Sequence, residues 1–431
     1  MSCVEQAVEG EDPLDPGDKR TVLAVGNCYP SLAVLPSLHG AGCRVVMGYA
    51  GPDWPFRYSR FVEESWRHPS IEEAPGEFIE ALARFLSERP DISHVFPVSE
   101  AAAALVAANA DRMPPTATLV TTNPSALAAC LDKCFMHEIA RELDIPVRSF
   151  VFATNLEDLY LRADNLGYPC VVKPPRSAVF VKKVVIARSR EELRAALPEW
   201  PDSVGRLILQ PMATGNRNNF YFAARNGELR QVCQAKVLRT DRFEGTGQTV
   251  EGVAVPVNPL LYEYTARLAK RLDYTGIGSA QYLVDDATGS ILFLEINPRL
   301  GAAFPIALAR GMDQSLLALE LASGHDVPSF PPDHFPAGLR CHWLHRDLAG
   351  LSSSLARREI GPGQAMTWAW RTMKAFVRCI PDLGPRQRDL RPCLLRYAQR
   401  AAGLAALRRR RRPAPDEAED GPPPARVIPS K

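Results

Sequence analysis

The sequence predicts an α/β protein that has a doubly wound N-terminal domain, a second domain of mixed α+β structure and a helical C-terminal extension. Three observations predict this architecture. Strand-like and helix-like segments alternate over 21–121, buried strands carrying single polar residues follow from residue 131, and basic amphipathic segments occupy 367–374 and 390–407. Alternating strands and helices are typical of a parallel sheet that helices cover on both faces.

The first domain is predicted from its repeated strand and helix segments. Apolar residues at helical spacing, Phe78, Ala81, Leu82 and Phe85, support the longest of its helices. The predicted strands are at 21–27, 44–47, 94–98 and 117–121, and the predicted helices at 32–38, 75–88 and 101–110. The turn at 26–29 does not match GxGxxG, so a dinucleotide site here has little support.

The predicted domain boundaries follow the changes in composition along the chain. They give a flexible N terminus at 1–20, the doubly wound domain at 21–125, the second domain at 126–330, the helical extension at 331–407 and a disordered basic, acidic and Pro-rich tail at 408–431.

Composition limits the classes of partner. The chain has 431 residues, of which 46% are hydrophobic and 23% charged, and a net charge of +2, so it offers no overall attraction to nucleic acid or acidic membranes. It shows neither an export signal nor an apolar run of about 18 residues, which predicts a cytoplasmic protein without a membrane span. Five consecutive arginines begin at Arg408 and end at Arg412. They are a weak candidate contact for RNA, DNA or anionic lipid, because the acidic run at 416–420 neutralises part of their charge.

Two groups of metal-ligating residue types are better explained by packing. Cys130 and Cys134 lie one helical turn apart in a helix-like stretch, and buried thiols are favoured over a metal site. His342, His345 and Asp347 lack a fourth ligand, which favours surface or packing roles.

The most informative segment is the strand that ends in Glu295, Asn297 and Arg299. Residues two apart on a strand point to the same face, so these three side chains are expected to converge. A carboxylate and an amide oxygen beside a guanidinium suit Mg²⁺ and the phosphates that it bridges. A solvated edge strand is the alternative interpretation of this pattern alone.

A second segment delivers one lysine to the end of a buried strand. Lys173 stands between the apolar residues at 170–172 and the proline pair at 174–175, which fix its position. A fixed ammonium group is a good phosphate ligand.

Together these segments resemble the ATP-grasp superfamily over about 131–324. In that family an Asp-Lys helix, a Tyr-Pro-x-x-x-Lys-Pro strand, a Gln-containing hinge, a basic glycine-containing loop and a Glu-x-Asn-x-Arg strand occur in this order. Here they stand at 132–133, 168–174, 209–215, 236–247 and 295–299. The resemblance implies a pre-ATP-grasp domain followed by an ATP-grasp domain, and it is nearest to carboxylate-amine ligases and the carbamoyl-phosphate synthase large chain.

The resemblance also implies residue roles. ATP phosphates would meet Lys133 and Lys173, and the adenine hinge would be formed by Gln210, Met212 and Ala213. Mg²⁺ (or Mn²⁺) would be held by Gln281, Glu295 and Asn297. Arg299 would bind the transferred phosphate or the substrate carboxylate. The basic loop with Lys236, Arg239 and Arg242, expected between strands, would bind the acceptor or close over the site, with a solvated hairpin as the equal alternative.

Three departures from the family pattern count against assigning these roles to the residues of this chain. The loop at 176–183 is poor in glycine, so the approach of its backbone to phosphates would be hindered, and Lys182 or Lys183 would have to supply charge instead. The acid expected after the hinge is replaced by Asn216 or Arg217. Gln281 replaces a metal carboxylate and lowers the charge of the site.

Three functional hypotheses remain at this stage. The leading one is an ATP- and Mg²⁺-dependent ligase that activates a small carboxylate, with an amino acid as the first candidate, as an acyl phosphate and joins it to an amine. The second is carbamoyl-phosphate-type chemistry on bicarbonate, against which stands the single set of motifs. The third is a nucleotide-binding protein with weakened turnover and a basic tail. Dimers are common among relatives, so a homodimer is also considered.

Overall fold

The computed structural model describes residues 20–26, 28, 30–51, 54–175, 184–200, 205–243, 245–379 and 389–399, which form three sheets and a group of C-terminal helices. The N terminus at 1–19, the glycine-poor loop at 176–183 with Lys182 and Lys183, and the tail at 408–431 lie outside the described residues. The division of the chain at residues 125, 330 and 407 stays a prediction.

The first sheet is parallel throughout and has strand order β3-β2-β1-β4-β5. Its strands are β1 (Thr21–Val25), β2 (Arg44–Tyr49), β3 (Glu64–Arg67), β4 (Ile92–Pro97) and β5 (Thr118–Leu119), and its helices are α1 (Ser31–Gly40), α2 (Pro75–Glu88), α3 (Glu100–Ala107) and α4 (Pro124–Leu131). The doubly wound prediction is confirmed. Strand β3 was missed because it is an edge strand whose residues are exposed or half-buried, so it lacks the apolar run of its neighbours.

The second sheet is antiparallel, with order β6-β9-β7-β8. It contains β6 (Val151–Ala153), β7 (Cys170–Lys173), β8 (Val185–Ala187) and β9 (Leu207–Pro211), and nearby helices are α5 (Lys133–Glu142), α6 (Leu156–Leu166) and α7 (Arg190–Ala196). Leu159 of α6 and Leu193 of α7 are fully buried in the cluster that covers this sheet. Asp132 caps α5 by accepting hydrogen bonds from the backbone N–H groups of Cys134 and Phe135.

The third sheet is also antiparallel and is the largest, with order β14-β13-β10-β11-β12-β15. Its strands are β10 (Asn216–Arg225), β11 (Glu228–Thr240), β12 (Thr249–Val255), β13 (Gly276–Val284), β14 (Ile291–Asn297) and β15 (Arg340–His342), and it is accompanied by α8 (Pro259–Arg271), α9 (Pro305–Leu308) and α10 (Gln314–Ala322). One core cluster joins Tyr221 and Phe304 of this region to Val22 of the first sheet and Leu35 of α1.

The predicted helical C-terminal extension is confirmed by α11 (Leu344–Ala356), α12 (Pro362–Arg378) and a further helical stretch at 390–399. Asp347 of α11 is fully buried and holds this region to the third sheet. Its carboxylate accepts hydrogen bonds from His342 Nε2 at 2.8 Å, Trp368 Nε1 at 2.6 Å and Thr372 Oγ1 at 2.9 Å, and forms an ion pair with Arg239 at 2.6 Å. The packing hypothesis for His342 and Asp347 is thereby confirmed.

Two sequence-based expectations need correction. Lys236 and Arg239 do not lie in a loop between strands, since β11 continues to Thr240 and pairs with β12 past both residues. Cys130 and Cys134 do not share one helix, because Asp132 ends α4 and caps α5. Both cysteines are buried thiols, as expected. Within the described residues, no helix has the length and apolar character that a membrane crossing requires.

Candidate active site

The candidate site lies where β14 leaves the third sheet. Asn297 Nδ2 donates to Glu295 Oε1 at 3.3 Å, and Arg299 Nη2 donates to Asn297 Oδ1 at 3.1 Å. The three side chains therefore converge as their spacing predicts. A register shift in the pairing of β13 with β14 turns Glu295 away from Phe293 and Ile296, which are buried in the core.

The neighbouring strands add amide oxygens on the same face. Gln281 of β13 stands opposite Glu295 in register, and Asn219 of β10 stands opposite Gln281. Asn219 is buried, and its Oδ1 atom has no hydrogen-bond partner. A buried acceptor without a partner is costly unless a bound group satisfies it. One carboxylate and several amide oxygens are hard donors of the kind that Mg²⁺ takes, so these residues fit a magnesium ion.

Two lysines face this strand from the segments around the second sheet. Lys133, at the start of α5, places Nζ 3.9 Å from Glu295 Oε2. Lys173, at the end of β7, is 9% exposed. Burial lowers the pKa of Lys173 and nearby Lys133 lowers it further, while Glu295 acts in the opposite direction. The backbone N–H of Lys133 also donates to the carbonyl of Pro175 at 3.0 Å, which ties the two lysine segments together.

The predicted hinge follows the same lysine strand. Gln210 of β9 pairs with Val171 of β7 and is buried, and its Oε1 atom has no hydrogen-bond partner. The backbone of Met212 is held on both sides, since its N–H donates to the carbonyl of Pro169 at 3.0 Å and its carbonyl accepts from Arg148 at 2.9 Å. Ala213 is half-buried in the connector that follows.

Arg299 is anchored by the first residue of α3, beside the first sheet. Its Nε and Nη2 atoms donate to Glu100 Oε2 at 3.0 and 2.7 Å. Glu100 opens α3, just beyond the carboxyl end of β4. In the order β3-β2-β1-β4-β5, that end borders the switch point between β1 and β4, where open parallel sheets bind ligands. Sequence reasoning missed Glu100, although its place directly after a buried strand was a usable signal.

Arg217 is a second residue whose position was missed. It had been noted only as a replacement for an acid, but its guanidinium is buried and lies in the fields of Glu295 and Asp241. Burial lowers the pKa of Arg217, whereas the charge of Glu295 acts to raise it. Arg217 Nη1 donates to the carbonyl of Gly247 at 2.8 Å, so it connects the β11–β12 hairpin with the metal-binding face.

Lys236 and Arg239 lie elsewhere. Lys236 stands opposite Asn218, which stands opposite the buried Tyr282, so it faces away from Gln281 and is paired with Asp286. Arg239 forms ion pairs with Glu251 at 2.7 Å and with Asp347. The structure brings neither residue to Glu295, and the catalytic assignment made from the sequence has no geometric support from these contacts.

Among the described residues there is also no cluster of three His, Cys, Asp or Glu side chains that could hold a metal, because amides supply most of the donors around Glu295.

Comparisons with known proteins agree with this geometry. The family model described as "Carbamoyl-phosphate synthase L chain, ATP binding domain" matches residues 257–330. The biotin carboxylase of Campylobacter jejuni, solved as a beta-gamma-ATP complex, superposes with a TM-score of 0.61 at 15% identity, over 75% of this chain and 74% of that one. The biotin carboxylase domain of Hydrogenobacter thermophilus 2-oxoglutarate carboxylase, solved with MgADP and bicarbonate, gives a TM-score of 0.58 at 16% identity, over 74% and 73%. The chain has the ATP-grasp fold.

Among curated relatives, the chain is 28% identical over 198 residues to the D-alanine–D-alanine ligase of Thermoanaerobacter pseudethanolicus, covering 41% of the chain and 54% of the ligase. It is 26% identical over 204 residues to the arginine-specific carbamoyl phosphate synthase large chain of Geobacillus stearothermophilus, covering 46% of the chain and 19% of the synthase. The chain thus spans about half or less of the length of these relatives. The resemblance inferred from its motifs is confirmed.

Proposed function

We propose that the protein is an ATP- and Mg²⁺-dependent ligase that activates a small carboxylate as an acyl phosphate and joins it to an amine, releasing ADP and phosphate. The observation that carries the proposal is the meeting of Lys133 and Lys173 with Glu295 across the two antiparallel sheets. Cations on one side and oxygen ligands on the other are what a metal-bound triphosphate requires.

Each residue of the candidate site has a role that follows from its position. Gln210 Oε1, buried without a partner, suits the amino group of adenine. Lys133 and Lys173 neutralise phosphate oxygens, and burial of Lys173 strengthens its interaction with charge. Glu295 and Asn297, with Gln281 and Asn219 beside them, would hold Mg²⁺ or Mn²⁺. When bound, the metal would supply positive charge that stabilises the phosphates during transfer.

The reaction takes place in two displacements. An oxygen of the substrate carboxylate attacks the γ-phosphorus of ATP, and the bond to the β-phosphate oxygen breaks to release ADP. The amine then attacks the acyl carbon, phosphate leaves and the nitrogen loses a proton. Arg299, held by Glu100, is oriented to bind the carboxylate or the transferred phosphoryl group through two N–H donors.

A second candidate differs only in the acid. The Hydrogenobacter domain was solved with bicarbonate, and the same machinery in this chain would phosphorylate bicarbonate instead of a carboxylic acid. The identity of both substrates, a homodimeric state and a cytoplasmic location stay predictions.

The test is release of ADP and phosphate from Mg-ATP by the purified protein, over a panel of amino acids, small acids and bicarbonate crossed with amines. We expect turnover that depends on one acid and falls at least about a thousandfold in Glu295→Ala, which loses the charged metal ligand. Glu263→Ala, a substitution at an exposed glutamate of α8, is the matched control and should retain activity. Equal turnover by Glu295→Ala and wild type would show that the site is assigned wrongly.

A further inference from the structure

One face of α12 exposes large apolar side chains to solvent. The helix buries Trp368, Thr372 and Ala375 against the protein. Another face carries Met366, Trp370, Met373 and Val377, which are 74%, 63%, 56% and 77% exposed. Their spacing of four, three and four residues aligns them along the helix, and we call these four residues the apolar stripe of α12.

A row of cations runs beside the apolar stripe. Arg371, Lys374 and Arg378 are all exposed and are spaced three and four residues apart, so they follow the helix next to the stripe. Helix α12 contains no acidic residue. The helix therefore has a buried face, an exposed apolar face and an exposed basic face.

The region around α12 repeats both features. Of the 17 large apolar residues that are exposed in the described part of the chain, ten lie between Leu348 and Leu395. Residues 346–412 contain 16 Lys and Arg against four Asp and Glu, a net charge of +12, whereas the whole chain carries +2 and its remainder therefore −10. Positive charge and exposed apolar side chains are thus concentrated in the same part of the sequence.

We propose that the apolar stripe of α12 and its basic row dock on an anionic lipid surface. An amphipathic helix with Trp and other apolar residues on one face and Lys or Arg beside them lies in the membrane interface, where apolar groups enter the acyl boundary and cations meet lipid headgroups. The basic run that ends at Arg412 adds positive charge after this helix in the sequence, part of which the acidic run at 416–420 neutralises.

Charge and polarity favour lipid over the other occupants of such a face. Nucleic acid would use Arg371, Lys374 and Arg378 but would leave the four apolar side chains in water. A second copy of this chain packed face to face would bring two basic rows together, which like-charge repulsion opposes. The proposal does not rest on the ligase activity, since none of these residues belongs to the candidate active site.

The first experiment is sedimentation of the full-length protein with vesicles of phosphatidylcholine alone or with 30% phosphatidylglycerol. We expect binding to the anionic vesicles that weakens with salt. The triple variant Trp370→Ser, Met373→Ser, Val377→Ser should bind at least about tenfold more weakly, because it removes the apolar stripe. The variant Arg371→Gln, Lys374→Gln, Arg378→Gln should lose on the order of a hundredfold. Leu161→Ser, at a 59% exposed leucine of α6, is the matched control and should bind like wild type.

A second readout places Trp370 in the bilayer. Of the six tryptophans Trp370 alone is exposed, the others being half-buried or buried. Lipids brominated on their acyl chains should quench part of the fluorescence of wild type and much less of that of Trp370→Phe, which keeps the apolar stripe and its binding.

Three results would overturn the proposal: no binding to anionic vesicles, equal binding by the apolar-stripe variant, or a lipid-free dimer that this variant abolishes. Binding of a DNA or RNA duplex that needs the basic row but not the stripe, without vesicle binding, would assign the surface to nucleic acid instead. ADP release measured in parallel keeps the outcome separate from that of the proposed ligase activity.

Discussion

Glu100 fixes the direction of Arg299 from outside the ATP-grasp strands. Without its carboxylate, Arg299 would keep only the carbonyl of Leu300 and Asn297 Oδ1 as acceptors and would no longer be directed at the acid substrate. We expect Glu100→Gln to lower kcat by about a hundredfold, the loss typical of a misplaced catalytic group, and to leave the KM for Mg-ATP unchanged. Steady-state ADP release with each substrate varied in turn measures both constants.

The control for this prediction is a second ion pair of similar exposure, which also joins a residue beside the first sheet to a residue in the region of the third sheet. Glu320 pairs with Arg20 at 2.6 Å, remote from Glu295 in the contacts described. Glu320→Gln should turn over like wild type. A loss of Mg-ATP affinity in Glu100→Gln would instead indicate a general disturbance of the cleft.

His137 makes stability depend on pH. Its Nε2 atom lies 3.0 Å from the carbonyl of Leu294, where it acts as donor, and burial followed by the charge of Lys173 lowers the pKa of His137 to about 4 from 6.5. The unfolded chain takes up a proton near pH 6.5, whereas the native state resists it until about pH 4. The stability contributed by neutral His137 is therefore complete above pH 6.5 and falls as the pH drops toward 4, by about 3 kcal/mol in the limit.

The test variant replaces His137 by a residue whose side-chain N–H can still donate to the Leu294 carbonyl but which does not titrate. His137→Gln should show a smaller loss of unfolding free energy between pH 7 and pH 5 than wild type, measured by urea titration at each pH. His39→Gln, at an exposed histidine of α1, should keep the wild-type difference. An unchanged pH response in His137→Gln would place the responsible proton elsewhere.

The parts of the site that the sequence predicts are those governed by local geometry. Glu295, Asn297 and Arg299 converge because alternation on one strand brings them together, and Lys173 is fixed by its own strand. Glu100 and Arg217 were missed because their partners are far along the chain: Glu100 meets Arg299 across 199 residues and Arg217 meets Gly247 across 30. Only strand pairing and the contact of α3 with the segment after β14 reveal them.

At the scale of elements, the error over Lys236 and Arg239 has a physical cause. A segment with three cations and two glycines reads as a loop, yet β11 extends to Thr240 because Glu251 and Asp347 neutralise Arg239 and Asp286 neutralises Lys236. Charges that have partners are compatible with a strand, and composition alone does not show those partners.

The turn between β11 and β12 is fixed by its contact with α11. A Cβ atom on Gly350 would lie 2.5 Å from the carbonyl oxygen of Asp241 and 2.9 Å from its Cα. Gly350→Ala therefore has to push the helix off the turn, and we expect a loss of about 1–3 kcal/mol in the free energy of unfolding. Urea denaturation measures it.

Gly363→Ala is the matched substitution. Apart from the chain neighbours and the helix's own backbone, no atom lies within 4 Å of a Cβ at this position of α12, so the change should be neutral or slightly stabilising. Two variants of equal stability would mean that the turn adjusts without cost, and that α11 does not hold it.

At the scale of the whole molecule, the first and third sheets share one core although they belong to different predicted domains. Phe304, fully buried, lies in the same cluster as Val22 of β1 and Tyr221 of β10. Phe304→Ala should cost about 3–5 kcal/mol by leaving a cavity. Because the core is continuous, we expect this loss to reach both sheets, and hydrogen exchange followed by mass spectrometry should show weaker protection in peptides from β1 as well as from β10.

Leu159→Ala, in the separate cluster of the second sheet, should weaken protection in β7 and β9 and leave β1 unchanged. If Phe304→Ala affected β10 alone, the two sheets would be independent folding units, and the predicted boundary at residue 125 would also divide the molecule energetically.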